Sequence, residues 1–149
     1  MKNKRRYVIG AACLLALFLP YLACFNYLEQ NEVGIAWNRA TGELWLQNAG
    51  YHFTAPWVAV SSVDTRPMRV CVTTAGRGFN CKLVQFVPDD YREFVAVEGF
   101  RYYWLANRFS INSGYDDEYR GMKDLMRGYA YGTKKYPFVV TLKDFRRPE

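Results

Sequence analysis

The sequence predicts an α+β fold in which one N-terminal transmembrane helix precedes a strand-rich domain with at least one amphipathic helix. Three observations predict it. Residues Tyr7–Leu28 contain no charged side chain, alternating apolar runs fill most of the chain up to Leu105, and the region Tyr115–Tyr129 repeats large apolar side chains at helical spacing. We therefore divide the chain into a basic N-terminus and anchor at 1–28, one domain at 29–145 and a tail at 146–149.

The uncharged stretch Tyr7–Leu28 is long enough to cross a bilayer as a helix. An α-helix rises about 1.5 Å per residue, and the hydrocarbon core of a bilayer is roughly 30 Å thick. Met1–Arg6, directly before it, holds four cations and no acid, and such clusters stay in the cytoplasm. We therefore expect a single-pass membrane protein with a cytoplasmic N-terminus and an extracytoplasmic domain, on the periplasmic side if the source is bacterial.

Two other interpretations of this stretch stay open. A cleaved secretory signal would end in a small-x-small site, which does not follow this long apolar run. A lipoprotein site would use Cys24, because Ala23 supplies the small residue before the cysteine, although Tyr21 stands where such sites usually carry leucine. The sequence alone does not decide whether the anchor is cleaved or lipidated.

The net charge of +6 does not indicate a nucleic-acid-binding protein. Four of the 20 Lys and Arg residues precede the anchor, which leaves 16 against 14 Asp and Glu residues in the rest of the chain, a net charge of +2. No basic block with interleaved aromatic side chains stands out. We therefore expect no nucleic-acid partner.

Short runs rich in apolar residues follow one another along most of the predicted domain, and Gly, Pro and Asn punctuate them. This pattern is typical of short strands separated by turns. The predicted strands are Glu32–Trp37, Glu43–Gln47, Val58–Arg66, Met68–Thr74, Asn80–Val87, Glu93–Glu98, Phe100–Leu105 and Phe138–Leu142.

The apolar period becomes helical near the C-terminus. Ser113 and Asp116 have the spacing of a capping box, and Gly132 is the predicted end of the helix. Gly121 and Gly128 lie inside it, and each costs about 1 kcal/mol relative to alanine. Either they allow another element to approach closely, or they are simply tolerated. The apolar residues at helical spacing are Tyr115, Tyr119, Met122, Met126 and Tyr129.

Two cysteines of the predicted domain flank a turn-rich run. A three-residue loop at Ala75–Arg77 makes the numbers of each cross-strand pair sum to 152, so Cys71 faces Cys81 at a Cα separation of about 4.5–5.5 Å. A disulfide can bridge that distance. Two free thiols packed in a core are the alternative, so the bond stays a candidate. Cys13 and Cys24 fall within the predicted anchor.

Five motifs follow the apolar stretch in a definite order. They are Glu32-Val33-Gly34-Ile35, Asn38-Arg39-Ala40-Thr41-Gly42, Ala49-Gly50-Tyr51-His52-Phe53 with Pro56-Trp57, Val63-Asp64-Thr65-Arg66-Pro67, and the segment Phe94–Tyr103. This order resembles the SPFH or band 7 domain of stomatins, prohibitins, flotillins and bacterial membrane-protease modulators. Family members usually continue into a long coiled coil that drives assembly, whereas this chain shows no sustained heptads, so its oligomerisation stays open.

The resemblance implies a non-enzymatic scaffold or modulator of membrane protein complexes, such as a protease, a channel or a microdomain. Its implied partners are the lipid bilayer and a membrane protein, for example a membrane protease or SPFH homologues. Two alternatives stay open: a short envelope lipoprotein or binding module anchored through Cys24, and a hydrolase that uses His52.

His52 is the only histidine in the chain. A hydrolase would pair it with Asp64 and with Ser61 or Ser62, but no glycine pattern typical of a nucleophile elbow surrounds either serine. No C-x-x-C or H-x-x-x-H motif indicates a metal site. We therefore expect no catalytic residue, no cofactor and no bound metal.

Four large aromatic residues lie close together behind the predicted anchor: Trp37, Trp45, Phe53 and Trp57. Aromatic side chains of this kind favour the membrane–water interface. We expect these four to contact the bilayer surface, with Phe53 and Trp57 the first candidates. Ordinary core packing is the alternative explanation.

Overall fold

A computed structural model describes residues 10, 12–16, 24–74, 78–104, 107–111 and 118–145. The described residues form a strand-rich domain, and Gly10 and residues 12–16 are also helical. The strands are β1 (Phe25–Leu28), β2 (Glu32–Asn38), β3 (Leu44–Gln47), β4 (Gly50–Phe53), β5 (Val58–Asp64), β6 (Met68–Thr74), β7 (Gly78–Phe86), β8 (Arg101–Tyr103), β9 (Arg108–Ser110) and β10 (Val139–Asp144). The helices are α1 (Tyr91–Glu98), which follows a 3-10 turn at Pro88–Asp90, and α2 (Glu118–Tyr131).

The N-terminal transmembrane helix predicted over Tyr7–Leu28 is wrong. Its last four residues, Phe25–Leu28, form strand β1 and pair antiparallel with β4. Among the described residues, no helix is both long enough and apolar enough to cross a membrane. This finding also contradicts the predicted single-pass membrane localisation. The basic flank and the rest of the predicted anchor, at 1–9, 11 and 17–23, lie outside the described residues.

Strand β1 forms because its side chains alternate between two environments. Phe25 and Tyr27 are exposed, whereas Leu28 is buried at 3% exposure. Successive side chains on a strand point to opposite faces, which gives this two-residue period, whereas a membrane helix does not produce it. The amide of Asn26 donates to the Thr54 hydroxyl at 2.7 Å, which ties β1 to the end of β4. The predicted helix rested on the absence of charge in this run. Apolar composition alone does not show whether the side chains repeat with the period of a strand or of a helix.

Two three-stranded antiparallel sheets make up most of the domain. One has the order β3-β2-β5, and the other has the order β10-β7-β6. Strands β1 and β4 form a separate two-stranded pair, as do β8 and β9. In the β6–β7 hairpin the paired residue numbers sum to 152, as predicted, and Cys71 stands opposite Cys81. Strands β1, β4 and β9 were not predicted from the sequence.

Strand β1 packs against the β3-β2-β5 sheet at Gly34 of β2. A Cβ atom at Gly34 would lie 2.7 Å from Cδ1 of Leu28 and 3.1 Å from Cγ1 of Val60. The absence of a side chain therefore leaves the space that Leu28 fills. This packing gives a physical reason for glycine in the middle of β2, where it otherwise weakens a strand.

The strand predicted at Glu93–Glu98 is wrong, because this segment is helix α1. In a strand, Val95 and Val97 would share one face, yet Val95 is 6% exposed and Val97 is 42% exposed. Adjacent Phe94 and Val95 are both buried instead, as one helical face allows. Gly99 ends the helix with φ of +69°, and its N–H donates to the carbonyl of Val95 at 2.9 Å.

The main core lies between both sheets and the two helices. Helix α2, whose predicted helical spacing and end before Gly132 are confirmed, contributes Met122 and Met126. Residues 112–117, which include the predicted capping box, lie outside the described part of the chain. The most completely buried large side chains are Phe86, Phe94, Phe109, Phe138, Ile35, Met68, Met126, Val70 and Val84.

Candidate binding surface

Four aromatic side chains share one face of the β1–β4 pair, and we name them the aromatic ribbon: Phe25, Tyr27, Tyr51 and Phe53. The strand register places Phe25 opposite Phe53 and Tyr27 opposite Tyr51. Side chains two residues apart on a strand lie on the same face. The ring centroids are 5.4 Å apart in the phenylalanine pair and 4.8 Å apart in the tyrosine pair. The four rings therefore form one continuous surface.

The aromatic ribbon faces solvent. The exposed fractions are 42% for Phe25, 59% for Tyr27, 79% for Tyr51 and 63% for Phe53. At roughly 150–250 Å² for each aromatic side chain, the exposed surface of the ribbon is about 400–600 Å². That area is at the upper end of what a soluble monomer usually exposes in one apolar patch, and such patches commonly bind another molecule.

Hydrogen bonds from β4 and from the residue after it hold the ribbon in place. The N–H of Thr54 donates to the carbonyl of Cys24 at 2.8 Å, and the Thr54 side chain is buried. His52, which alternates with the ribbon residues along β4, makes a 2.6 Å hydrogen bond with the carbonyl of Asn48. The first bond joins the residue after β4 to the residue before β1, and the second joins β4 to the turn that precedes it.

The four aromatic residues predicted at a membrane interface occupy two kinds of environment. Trp37 packs against the main core, with its ring centroid 4.8 Å from that of Phe100, and Trp45 packs against a smaller buried cluster. Phe53 belongs to the aromatic ribbon, and Trp57 is 52% exposed. The sequence therefore grouped two packed side chains with two exposed ones.

The turn that presents Trp57 is held by Arg39. The Arg39 side chain donates from Nη2 to the carbonyl of Pro56 at 3.0 Å and from Nε to the carbonyl of Trp57 at 3.2 Å. Its guanidinium carbon also lies 5.0 Å from the ring centroid of Tyr102, a cation–π distance. The arginine of the predicted turn therefore has a structural role here.

The residues of the hydrolase alternative have separate partners. His52 lies on β4 and bonds the carbonyl of Asn48, whereas Ser61 and Asp64 lie on β5 in another sheet. The buried Asp64 carboxylate accepts hydrogen bonds from the backbone N–H and from Nε of Arg66, both at 2.8 Å. Asp64 therefore pairs with an arginine and does not orient the histidine in this arrangement.

The cysteines lie in distinct settings. Cys71 and Cys81 are joined in a disulfide, with their Cα atoms 4.1 Å apart. The free thiol of Cys24, the lipidation candidate, is buried at 6% exposure, and that of Cys13 is exposed. Within the part of the chain that the structure describes, no three His, Cys, Asp or Glu side chains come together as metal ligands.

Sequence reasoning missed three of the four ribbon residues. Phe25 and Tyr27 were assigned to the anchor, and Tyr51 was assigned to no strand. The usable signal was the aromatic-x-aromatic spacing, which occurs in Phe25-Asn26-Tyr27 and again in Tyr51-His52-Phe53. In a strand this spacing places both rings on one face, although Tyr129-Ala130-Tyr131 has the same spacing inside α2.

No protein-family model matches the chain, and no curated protein matches it either. The SPFH resemblance stays a prediction.

Proposed function

We propose that this protein is a non-enzymatic binding module that docks on a partner protein through the aromatic ribbon. The observation that carries the proposal is the side-by-side exposure of four rings on one strand pair. Aromatic side chains dominate the energetic centres of protein interfaces, because they bury a large area at a low entropic cost. Tyr27 and Tyr51 also bring hydroxyl groups, which can hydrogen-bond to a partner while their rings pack.

The partner that fits this surface has an apolar groove with a basic rim. The ribbon itself has no charged side chain, and Glu29 and Glu32 lie beyond its Leu28 end. A basic rim on the partner would complement them.

The ribbon forms the centre of an interface and not the whole of it. A stable complex commonly buries about 800 Å² on each partner, which exceeds the area exposed by the four rings. A homodimer built on the ribbon alone would therefore be weak. The proposed partner therefore also contacts residues around the ribbon. The classes implied by the SPFH resemblance, a membrane protease or an SPFH homologue, stay predictions.

The test begins with a photo-crosslinker, p-benzoyl-phenylalanine, in place of Tyr51 in the full chain. The crosslinked protein is identified by mass spectrometry, purified and titrated with the unmodified chain. We expect the double variant Tyr27→Ser, Tyr51→Ser to bind at least tenfold more weakly. The matched control is Tyr103→Ser, since Tyr103 is also exposed, at 41%, but lies on β8.

Three outcomes would overturn the proposal. The first is a crosslink only to a second copy of the chain, and the second is a crosslink only to lipid. The third is an affinity for the purified partner that the ribbon variant leaves unchanged. Circular dichroism of the variant accompanies the titration, because a lost fold would otherwise imitate a lost interface.

A further inference from the structure

A second candidate site lies at the C-terminal end of α2, where a cleft of about 490 Å³ opens. Two acids, Glu98 and Asp124, line it together with the rings of Tyr129 and Tyr136 and the backbone of Gly128. The site shares no residue with the aromatic ribbon. Its combination of carboxylates and aromatic rings is the one that recognises organic cations.

The aromatic part of the cleft already holds one cation from the chain itself. The ring centroids of Tyr129 and Tyr136 are 4.8 Å apart in an edge-to-face arrangement. The ammonium of Lys134 lies 4.9 Å from the centroid of the Tyr136 ring, a distance at which the ring face attracts a positive charge. The rings therefore offer an apolar wall for an aliphatic stem and a favourable face for the charge at its end.

The polar part of the cleft includes two carboxylates, which accept hydrogen bonds. Glu98 accepts a hydrogen bond from the Tyr129 hydroxyl, and burial together with this bond raises the pKa of Tyr129, so the phenol stays protonated. Asp124 pairs with Arg127 at 2.7 Å on the helix surface, where such a pair holds its partner weakly. Each carboxylate has about four lone-pair positions, so both retain acceptor capacity for a ligand.

Backbone carbonyl groups add to this negative character. The carbonyl oxygens of Gly128, Tyr129 and Lys134 lie 3.1, 3.7 and 3.8 Å from the position that a Cβ atom on Gly132 would occupy. The first two belong to the last turn of α2, whose carbonyl groups carry the negative end of the helix dipole. A cation near this helix end is therefore favoured, and an anion is not.

Gly128 keeps the cleft open. No atom lies within 4 Å of the position that its Cβ would occupy. Packing therefore does not require glycine here, although glycine costs about 1 kcal/mol relative to alanine inside a helix. A side chain at this position would project into the open space and reduce the room for a ligand.

We propose that this cleft binds the ammonium or guanidinium group of a lysine or arginine side chain on a partner protein. Tyr129 and Tyr136 pack against the aliphatic stem. The charged end donates hydrogen bonds to Glu98, to Asp124 and to the carbonyl groups at the end of α2. A metal ion fits less well, because two carboxylates without a third acidic, His or Cys side chain line the described cleft.

The direct test uses nuclear magnetic resonance titrations of the isotope-labelled full chain. The probe is Nα-acetyl-lysine N-methylamide, and the matched control ligand is Nα-acetyl-norleucine N-methylamide, which keeps the stem and lacks the charge. We expect saturable shifts at the amides of Gly128, Tyr129 and Gly132. The norleucine compound should bind at least tenfold more weakly.

Four variants distinguish the cleft from general surface charge. Gly128→Leu should weaken lysine binding at least tenfold without lowering the melting temperature, because leucine is the better helix former. Glu98→Gln and Asp124→Asn should each weaken it about threefold to tenfold, whereas Glu93→Gln, at an exposed acid outside the cleft, should not. An affinity unchanged by Gly128→Leu, or equal for the norleucine compound, would overturn the proposal.

A further variant tests whether Lys134 competes with the ligand. Lys134→Met removes the ammonium that lies over Tyr136 and leaves a stem of similar length. Lysine binding should tighten about threefold, since a like charge and a competitor for the ring are both lost. Weaker binding by this variant would contradict a cation site. Circular dichroism confirms that each variant keeps its fold before its affinity is compared.

Discussion

The aromatic ribbon and the aromatic core of this domain have similar ring geometry and opposite exposure. We define the aromatic core as Phe86, Phe94 and Phe138. Neighbouring ring centroids in it are 5.0 and 5.2 Å apart, close to the distances in the ribbon. Yet the core rings are at most 2% exposed, whereas every ribbon ring is at least 42% exposed. The distance between neighbouring ring centroids therefore does not distinguish a buried aromatic cluster from an exposed one.

The difference lies in what covers each cluster. The aromatic core joins residues from β7, α1 and the approach to β10, so separate elements enclose it. The ribbon uses one face of β1 and β4, and the described residues leave that face exposed. We therefore expect core rings to control the stability of the fold and ribbon rings to control binding.

The largest expected effect comes from Phe94→Ala. Removing a fully buried phenylalanine leaves a cavity and loses its transfer free energy, which together cost about 3–5 kcal/mol. Equilibrium unfolding in urea measures the change in free energy of unfolding. Phe53→Ala is the matched control, because the same truncation at an exposed ring should cost less than about 1 kcal/mol. Equal losses in the two variants would break the distinction between core and ribbon.

Loss of the Cys71–Cys81 disulfide should have the next largest effect. The bond closes a hairpin with a sequence separation of 10 residues, and closing a loop of that size stabilises a fold by about 2.5–3 kcal/mol. Unfolding of the Cys71→Ser, Cys81→Ser variant measures the loss, with the free cysteine variant Cys13→Ser as the control. Two alkylatable thiols from these residues in the unfolded, unreduced protein would show that the bond does not form.

Gly34→Ala tests how the ribbon is attached to the sheet. The added Cβ would meet Leu28 at 2.7 Å and Val60 at 3.1 Å, and overpacking of this kind costs about 1–3 kcal/mol. Urea unfolding measures the loss. Because the nearest atom belongs to Leu28, the double variant with Leu28→Ala should lose less than the sum of the two single variants. Additive losses would show that Leu28 does not pack over Gly34.

The smallest effect on stability is expected from Tyr27→Ser, Tyr51→Ser. Both side chains are mostly exposed, so the free energy of unfolding should change by about 0.5 kcal/mol per residue or less. Thermal unfolding followed by circular dichroism measures it, beside the partner titration proposed above. A loss of several kcal/mol would assign the ribbon a structural role and would remove the contrast with the aromatic core.

Local patterns predicted much of the fold. Strands β2 and β5, the register of β6 against β7 and the helical spacing of Met122 and Met126 all appear in the structure. The errors occurred where local pattern and composition conflicted. The charge-free run suggested a membrane helix although its end alternates as a strand, and Glu93–Glu98 suggested a strand although a proline turn and Gly99 delimit a helix.

The candidate sites were harder to predict than the elements. Phe53 was recognised, but its ribbon partners Phe25, Tyr27 and Tyr51 became visible only with the pairing of β1 and β4. The cleft brings Glu98 together with Tyr129, which is 31 positions away in the chain. No local spacing relates such residues, so sequence patterns did not indicate either complete site.

By itself the sequence determined features that depend on neighbouring residues: the register of the β6–β7 hairpin, the position of α2 and the end of α2 before Gly132. Turn chemistry and side-chain period act over a few residues, so they are readable in the chain. Only the tertiary structure decided which aromatic rings are buried and which acids share a cleft. Burial depends on elements that are distant in sequence, such as Phe94 against Phe86 and Phe138.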